Sequence, residues 1–97
     1  MSGRVSLDLN LPALQDDLFN LDANEYRQVA KTLRKIRTMT WDEVCRDHGL
    51  KWEAVKGHPG VYSLRLSRGS RALAGRDGDV MRFIAIHADH DAAYGKK

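Results

Sequence analysis

Two groups of side chains in this 97-residue chain have the types and spacing for chemistry on a phosphodiester. The first is the run His87-Ala88-Asp89-His90-Asp91-Ala92-Ala93-Tyr94, which gathers two imidazoles, two carboxylates and a phenol near the C-terminus. The second is Arg65, Arg68, Arg71 and Arg76, within a stretch from Gly57 to Arg76 that contains no acid at all. Cleavage of RNA by its own 2′-hydroxyl needs a group that takes the hydroxyl proton. It also needs positive charge for the crowded phosphorane and a donor for the leaving 5′-oxygen. Histidine titrates near neutral pH and serves as acceptor or donor, whereas tyrosine is a poorer base unless cations depress its pKa. The planar fork of arginine holds phosphate oxygens as charge builds on them. The plain alternative is a frayed polar C-terminus beside a solvated strand face.

Charge distribution favours a phosphate-rich partner. Residues 1–49 carry 7 Lys/Arg against 8 Asp/Glu, and residues 50–97 carry 9 against 5, so the net charge of +3 resides in the second half. Basic charge concentrated on one part of a small fold suits nucleic acid. Metal binding is a weaker reading. His87, Asp89, His90 and Asp91 are ligand types, but their spacing is too compressed for all of them to converge on one ion. His48 and His58 would contribute only if the fold brought them near. The single cysteine, Cys45, excludes an internal disulfide and a cysteine-based zinc site, and is expected to be a buried structural thiol. No cofactor and no metal are expected.

These groups must be positioned by one small core, because a chain of this length makes a single domain over residues 1–97. There is no apolar run long enough to span a bilayer and no basic-then-apolar leader, so a cytoplasmic protein without membrane association is expected. Val5 to Leu9 alternates with period two and predicts a first strand. Asn10 and Pro12 start a helix with Leu11, Leu14, Leu18 and Leu21 on one side. Asp22 caps a second helix, with Glu25 completing a capping box and Leu21 and Tyr26 forming a staple. Thr40 and Glu43 repeat the capping-box pattern before a short third helix that Gly49 can end. Beyond Gly49 the pattern alternates. Val61–Leu66, Arg71–Ala74 and Val80–Ile86 predict antiparallel strands, with Asp77-Gly78 marking a tight hairpin. The last strand is apolar on both faces apart from Arg82, as a central strand would be. Helices first and a sheet afterwards make an α+β layer.

Three segments in this order resemble the RelE/ParE superfamily of bacterial type II toxins. They are Trp52-Glu53-Ala54-Val55-Lys56-Gly57, then Val61-Tyr62-Ser63-Leu64-Arg65-Leu66, then Gly69-Ser70-Arg71-Ala72. The closing run through His90, Asp91 and Tyr94 is similar to the C-terminal catalytic segment of the RelE-like and HigB-like branches. The resemblance implies an α+β fold, with an N-terminal strand and helices packed on one face of a C-terminal antiparallel β-sheet and RNA received on the other face. It implies an mRNA endoribonuclease, in many relatives acting on the ribosome, that is silenced by a cognate antitoxin protein. By position Arg65 and Arg71 match the two sheet arginines that bind phosphate. Tyr94 and His90 match the C-terminal tyrosine and histidine that different members use in catalysis. Lys56, Arg68, Arg82 and His87 are further RNA-binding candidates; Lys56, Arg68 and His87 match no fixed family position.

Ser70 stands where relatives often carry an aromatic, which implies loss of a stacking surface for a base. The ParE-like branch inhibits DNA gyrase without cutting RNA, so the resemblance implies a toxin before it implies a nuclease. A different class is also open. Thr40 to Leu50, followed by Trp52 and Val55, resembles a helix-turn-helix, which would make the chain a DNA-binding regulator. Against it, the segment from Lys51 contains Glu53 and soon meets Gly57 and Pro59, and the arginines cluster downstream in strands.

Overall fold

The capping signals and alternating runs resolve into three helices and five strands in a computed structural model that describes residues 3–88. The chain runs β1 (Ser6–Asp8), α1 (Pro12–Phe19), α2 (Ala23–Ile36), α3 (Trp41–Arg46), β2 (Glu53–Ala54), β3 (Tyr62–Arg65), β4 (Ser70–Asp77) and β5 (Val80–Ala88). The sheet order is β1-β5-β4-β3-β2. Strands β2 to β5 are antiparallel neighbours, while β1 runs parallel to β5 along one edge. The architecture is therefore α+β, as expected, with a mixed sheet. The parallel pairing is possible because the three helices and strands β2 to β4 lie between β1 and β5 in the chain, a connection long enough for parallel neighbours.

Local chemistry explains most boundaries. Thr40 and Glu43 form the full reciprocal capping box at α3, each side chain bonding the other's backbone N–H. Asp22 accepts from the Glu25 N–H at 2.8 Å, capping α2. The Glu25 carboxylate does not complete that box, because the hydroxyls of Ser67 and Ser70 on the sheet claim it. At α1 the cap residue is Leu11, which is 45% exposed, so Leu14 and Leu18 alone are the buried residues of that helix. Cys45 is exposed on α3, contrary to the buried thiol expected. It falls on the solvent side of a helix that buries Trp41 and Val44.

The helix-turn-helix reading fails on the backbone. After Gly49 the chain turns at Lys51 with φ 50°, and Glu53 and Ala54 pair with Ser63 and Tyr62 instead of entering a second helix. The Leu50 carbonyl accepts from the Arg65 N–H at 2.7 Å, tying this segment to the sheet. Trp52 stacks on Tyr62, with centroids 4.7 Å apart, and meets Trp41 edge-on.

One face of the sheet carries the core. Leu64, Leu66, Ala72, Ala74, Met81, Phe83 and Ile86 are buried against Leu14 and Leu18 of α1 and Val29, Leu33 and Ile36 of α2. Burial of each large side chain contributes about 1.5–3 kcal/mol. Along β5 the burial period breaks: Met81, Phe83 and Ile86 all face the helices, and Ile84 is 36% exposed. The register shows the cause, since Leu73 pairs with Ala85 but Ala74 pairs with Phe83, leaving Ile84 as the extra residue of a bulge. That bulge accounts for a strand that reads as apolar on both faces.

Candidate nucleic-acid interface

Side chains on a strand alternate between faces, so the pairing register decides what meets on the open face. Arg65 on β3 lies directly opposite Arg71 on β4, and Arg71 lies directly opposite His87 on β5. Leu64, Leu66, Ala72 and Ile86, their chain neighbours, point into the core, so Arg65, Arg71 and His87 share the face away from the helices. Two strand spacings separate the ends of this row, about 10 Å. His87 joins it only because of the bulge. Without the extra residue at Ile84, position 87 would follow Met81 and Phe83 onto the helix face.

Directly opposed like charges destabilise a sheet by about 0.2–1 kcal/mol. The neighbouring open-face positions of the described strands are Ser63, Leu73 and Ala85. Ser63 donates no charge but meets Arg71, whose Nη2 lies 3.2 Å from the serine Oγ. Arg65 and Arg71 are half-buried and His87 is exposed, with its Nδ1 3.0 Å from the Ala88 carbonyl oxygen.

The helices hold this end of the sheet through polar contacts that sequence reasoning did not find. Asp17 of α1 accepts from the Ile86 N–H at 3.0 Å, tethering β5 one residue before His87. That N–H is free for Asp17 because β1 stops pairing at Arg82. Glu25 of α2 accepts from both Ser67 and Ser70, and Thr32 donates to the Leu66 carbonyl at 2.6 Å. Ser70 is 2% exposed and faces the helices. It therefore anchors the turn, and an aromatic there could not offer a stacking surface on the open face.

The other candidates fall elsewhere. Arg68 is exposed in the turn between β3 and β4, at the same end as the arginine pair. Lys56 is exposed in the loop joining β2 to β3, at the opposite end of the sheet. Arg82 pairs with Gly75 and sits five residues before His87, about 15 Å along β5. It is engaged there by Asp8 at 3.1 Å and Asp77 at 3.4 Å, and these carboxylates hold its pKa above the ordinary value. The structure thus groups Arg65, Arg71, His87 and Arg68, and separates Lys56 and Arg82 from them. His90, Asp91 and Tyr94 lie outside the described residues. Among the described residues no cluster of His, Cys, Asp or Glu is arranged to hold a metal ion. No described helix is long and apolar enough to cross a membrane.

No protein-family model matches the sequence, and no curated protein matches it either. Solved structures do. RelE of the RelB–RelE antitoxin–toxin complex from Methanococcus jannaschii superposes with a TM-score of 0.62 at 13% identity, over 95% of this chain and 98% of that one. The fold is that of a RelE toxin. A copper-bound mutant toxin from Helicobacter pylori shares it, with a TM-score of 0.54 at 17% identity over 90% of this chain and 97% of that one. Coverage this complete matches the whole strand–helix–sheet order and not a shared hairpin alone.

Proposed function

We propose that the chain is the toxin of a type II toxin–antitoxin system and cleaves mRNA at a phosphodiester gripped on the open face of its sheet. The observation that carries this reading is the directly opposed pair Arg65 and Arg71 with His87 next in line. The arginines supply the positive charge for a phosphorane, and in sequence the segment containing His90 and Tyr94 follows Ala88, the last described residue of β5. In the proposed reaction the 2′-hydroxyl oxygen attacks the adjacent phosphorus while Tyr94 or His90 takes its proton. The bond to the 5′-oxygen breaks, that oxygen takes a proton from the other of these two side chains, and the products end in a 2′,3′-cyclic phosphate and a 5′-hydroxyl. Among the described residues the basic row lies on a sheet, which favours this reading over a duplex-reading helix. The proposed setting includes the ribosome, on which many members of the superfamily that the sequence resembles act.

An antitoxin partner is supported by exposed apolar surface away from the row. Phe19 is 66% exposed and Tyr26 39%, and a shallow groove beside them is bordered by Arg27 and Arg34. An apolar patch of this kind marks protein contact, and the arginines suit an acidic, amphipathic segment.

Expression of the chain alone tests the function. Growth arrest is expected, with RNA fragments bearing cyclic phosphate ends, and Tyr94→Phe and His90→Ala are expected to reduce both. Arrest without RNA cleavage, unaffected by either substitution, would favour a gyrase inhibitor and sink the nuclease reading.

A further inference from the structure

Glu25 occupies a position where its expected local bond is not made. Capping-box spacing offers its carboxylate the Asp22 N–H, yet one oxygen, Oε2, instead accepts from Ser67 and Ser70, 42 and 45 residues away in sequence. Ser67 Oγ in turn accepts from the Gly69 N–H at 3.1 Å. Ser70 is the buried polar residue among the described ones, and its hydroxyl is satisfied by this carboxylate. Charge-assisted bonds of this type are roughly twice as strong as neutral ones.

The segment so clamped is the turn between β3 and β4. Arg65 precedes it and Arg71 follows it, and these two residues form the pair next to the turn. Ser70 is covalently adjacent to Arg71, and Ser67 lies two residues after Arg65. The hairpin already has apolar anchors on its core face in Leu64, Leu66 and Ala72. The carboxylate adds something these anchors do not: a directional constraint on the backbone from which both guanidinium groups project.

We propose that Glu25 is a positioning residue, setting through Ser67 and Ser70 the spacing at which Arg65 and Arg71 meet one phosphate. The proposal rests on the phosphodiester-binding reading given above. A misplacement on the order of 1 Å at such a site is enough to weaken function by large factors. Glu25 itself faces the turn and not the open face, so its effect passes through the arginines.

A double-mutant cycle separates this role from general stabilisation. Affinity for a short single-stranded RNA would be measured by anisotropy for the full chain, for Glu25→Ala, Glu25→Gln and Arg71→Ala, and for the Glu25→Ala/Arg71→Ala pair, with thermal unfolding of each. Glu25→Ala is expected to weaken binding about tenfold, and Glu25→Gln, which keeps one acceptor, about threefold. In the Arg71→Ala background the Glu25→Ala effect is expected to shrink below about twofold. Independent effects in the cycle, or a lowered unfolding temperature with unchanged affinity, would overturn the clamp. If Arg71→Ala weakens binding and Glu25→Ala does not, the clamp alone falls. If the unaltered chain binds no RNA, the clamp falls together with the reading it rests on.

Discussion

Replacing Arg71 by alanine should weaken RNA binding strongly while leaving the fold nearly as stable as before. Arg71 is the middle member of the row, directly opposite both Arg65 and His87. Loss of a hydrogen-bonded contact to a charged phosphate costs roughly 1.5–3 kcal/mol, or about 10- to 150-fold in affinity. The effect on folding is a difference of small terms. The hydrogen bond to Ser63 at 3.2 Å contributes about 1 kcal/mol, and relief of the opposed arginine pair returns about 0.2–1 kcal/mol. A net change below about 1 kcal/mol moves the unfolding temperature by less than about 8 °C in a domain of this size. Anisotropy with labelled single-stranded RNA at several salt concentrations, alongside thermal unfolding, measures both. The slope of log affinity against log salt should also fall by about 0.7 as one phosphate contact disappears. Unchanged affinity and slope, or unfolding in place of weakened binding, would refute the assignment of Arg71 to phosphate.

Two further outcomes concern the scaffold. Burial pushes the Asp47 carboxyl up, but the Lys35 ammonium at 3.1 Å and the Leu50 and Gly49 N–H groups outweigh it and hold the group below its ordinary value of 3.8. A depressed folded-state pKa stabilises above the unfolded value and is lost as pH falls through the folded one. Asp47→Asn should therefore be less stable than the original chain near neutral pH, with the gap closing below about pH 4, as followed by urea unfolding. Gly78 has φ 61° in the two-residue loop between Asp77 and Val80, so Gly78→Ala should cost about 1–2 kcal/mol in the same assay. A loss under a few tenths of a kcal/mol would mean that the loop relaxes freely.

Much of the fold was legible in local patterns. The Thr40 and Glu43 pair is a reciprocal contact between residues three apart, so its spacing alone predicts it. The alternation over Val61–Leu66 predicted a strand, and β3 forms within it, with Leu64 and Leu66 buried. The parallel edge was not legible, because β1 is three residues long and its partner lies at the far end of the chain. Nor was the bulge. A run such as Val80 to Ile86 reads equally well as a doubly covered strand, and only the observed register shows that Ile84 is extra. That one residue decides whether His87 joins the arginines. Glu25 illustrates a second limit. Its cap spacing was correct and the Asp22 contact forms, but two serines more than 40 residues away compete successfully for the carboxylate. The stretch after Gly49 left a helix-turn-helix open as the alternative, since a short apolar pattern beside a Gly turn fits a recognition helix or a paired edge; Glu53, Gly57 and Pro59 argued against the helix, and β3 was there to pair with it.

The most direct test of the shared phosphate site is side-chain NMR of the guanidinium Nε–H groups and of the His87 ring during titration with a short single-stranded RNA. The signals of Arg65, Arg71 and His87 are expected to shift together along one binding curve, with Arg82, held by Asp8 and Asp77, left in place. Shifts confined to Arg82, or to the arginines of α2, would show that RNA engages another surface and would contradict the site built here.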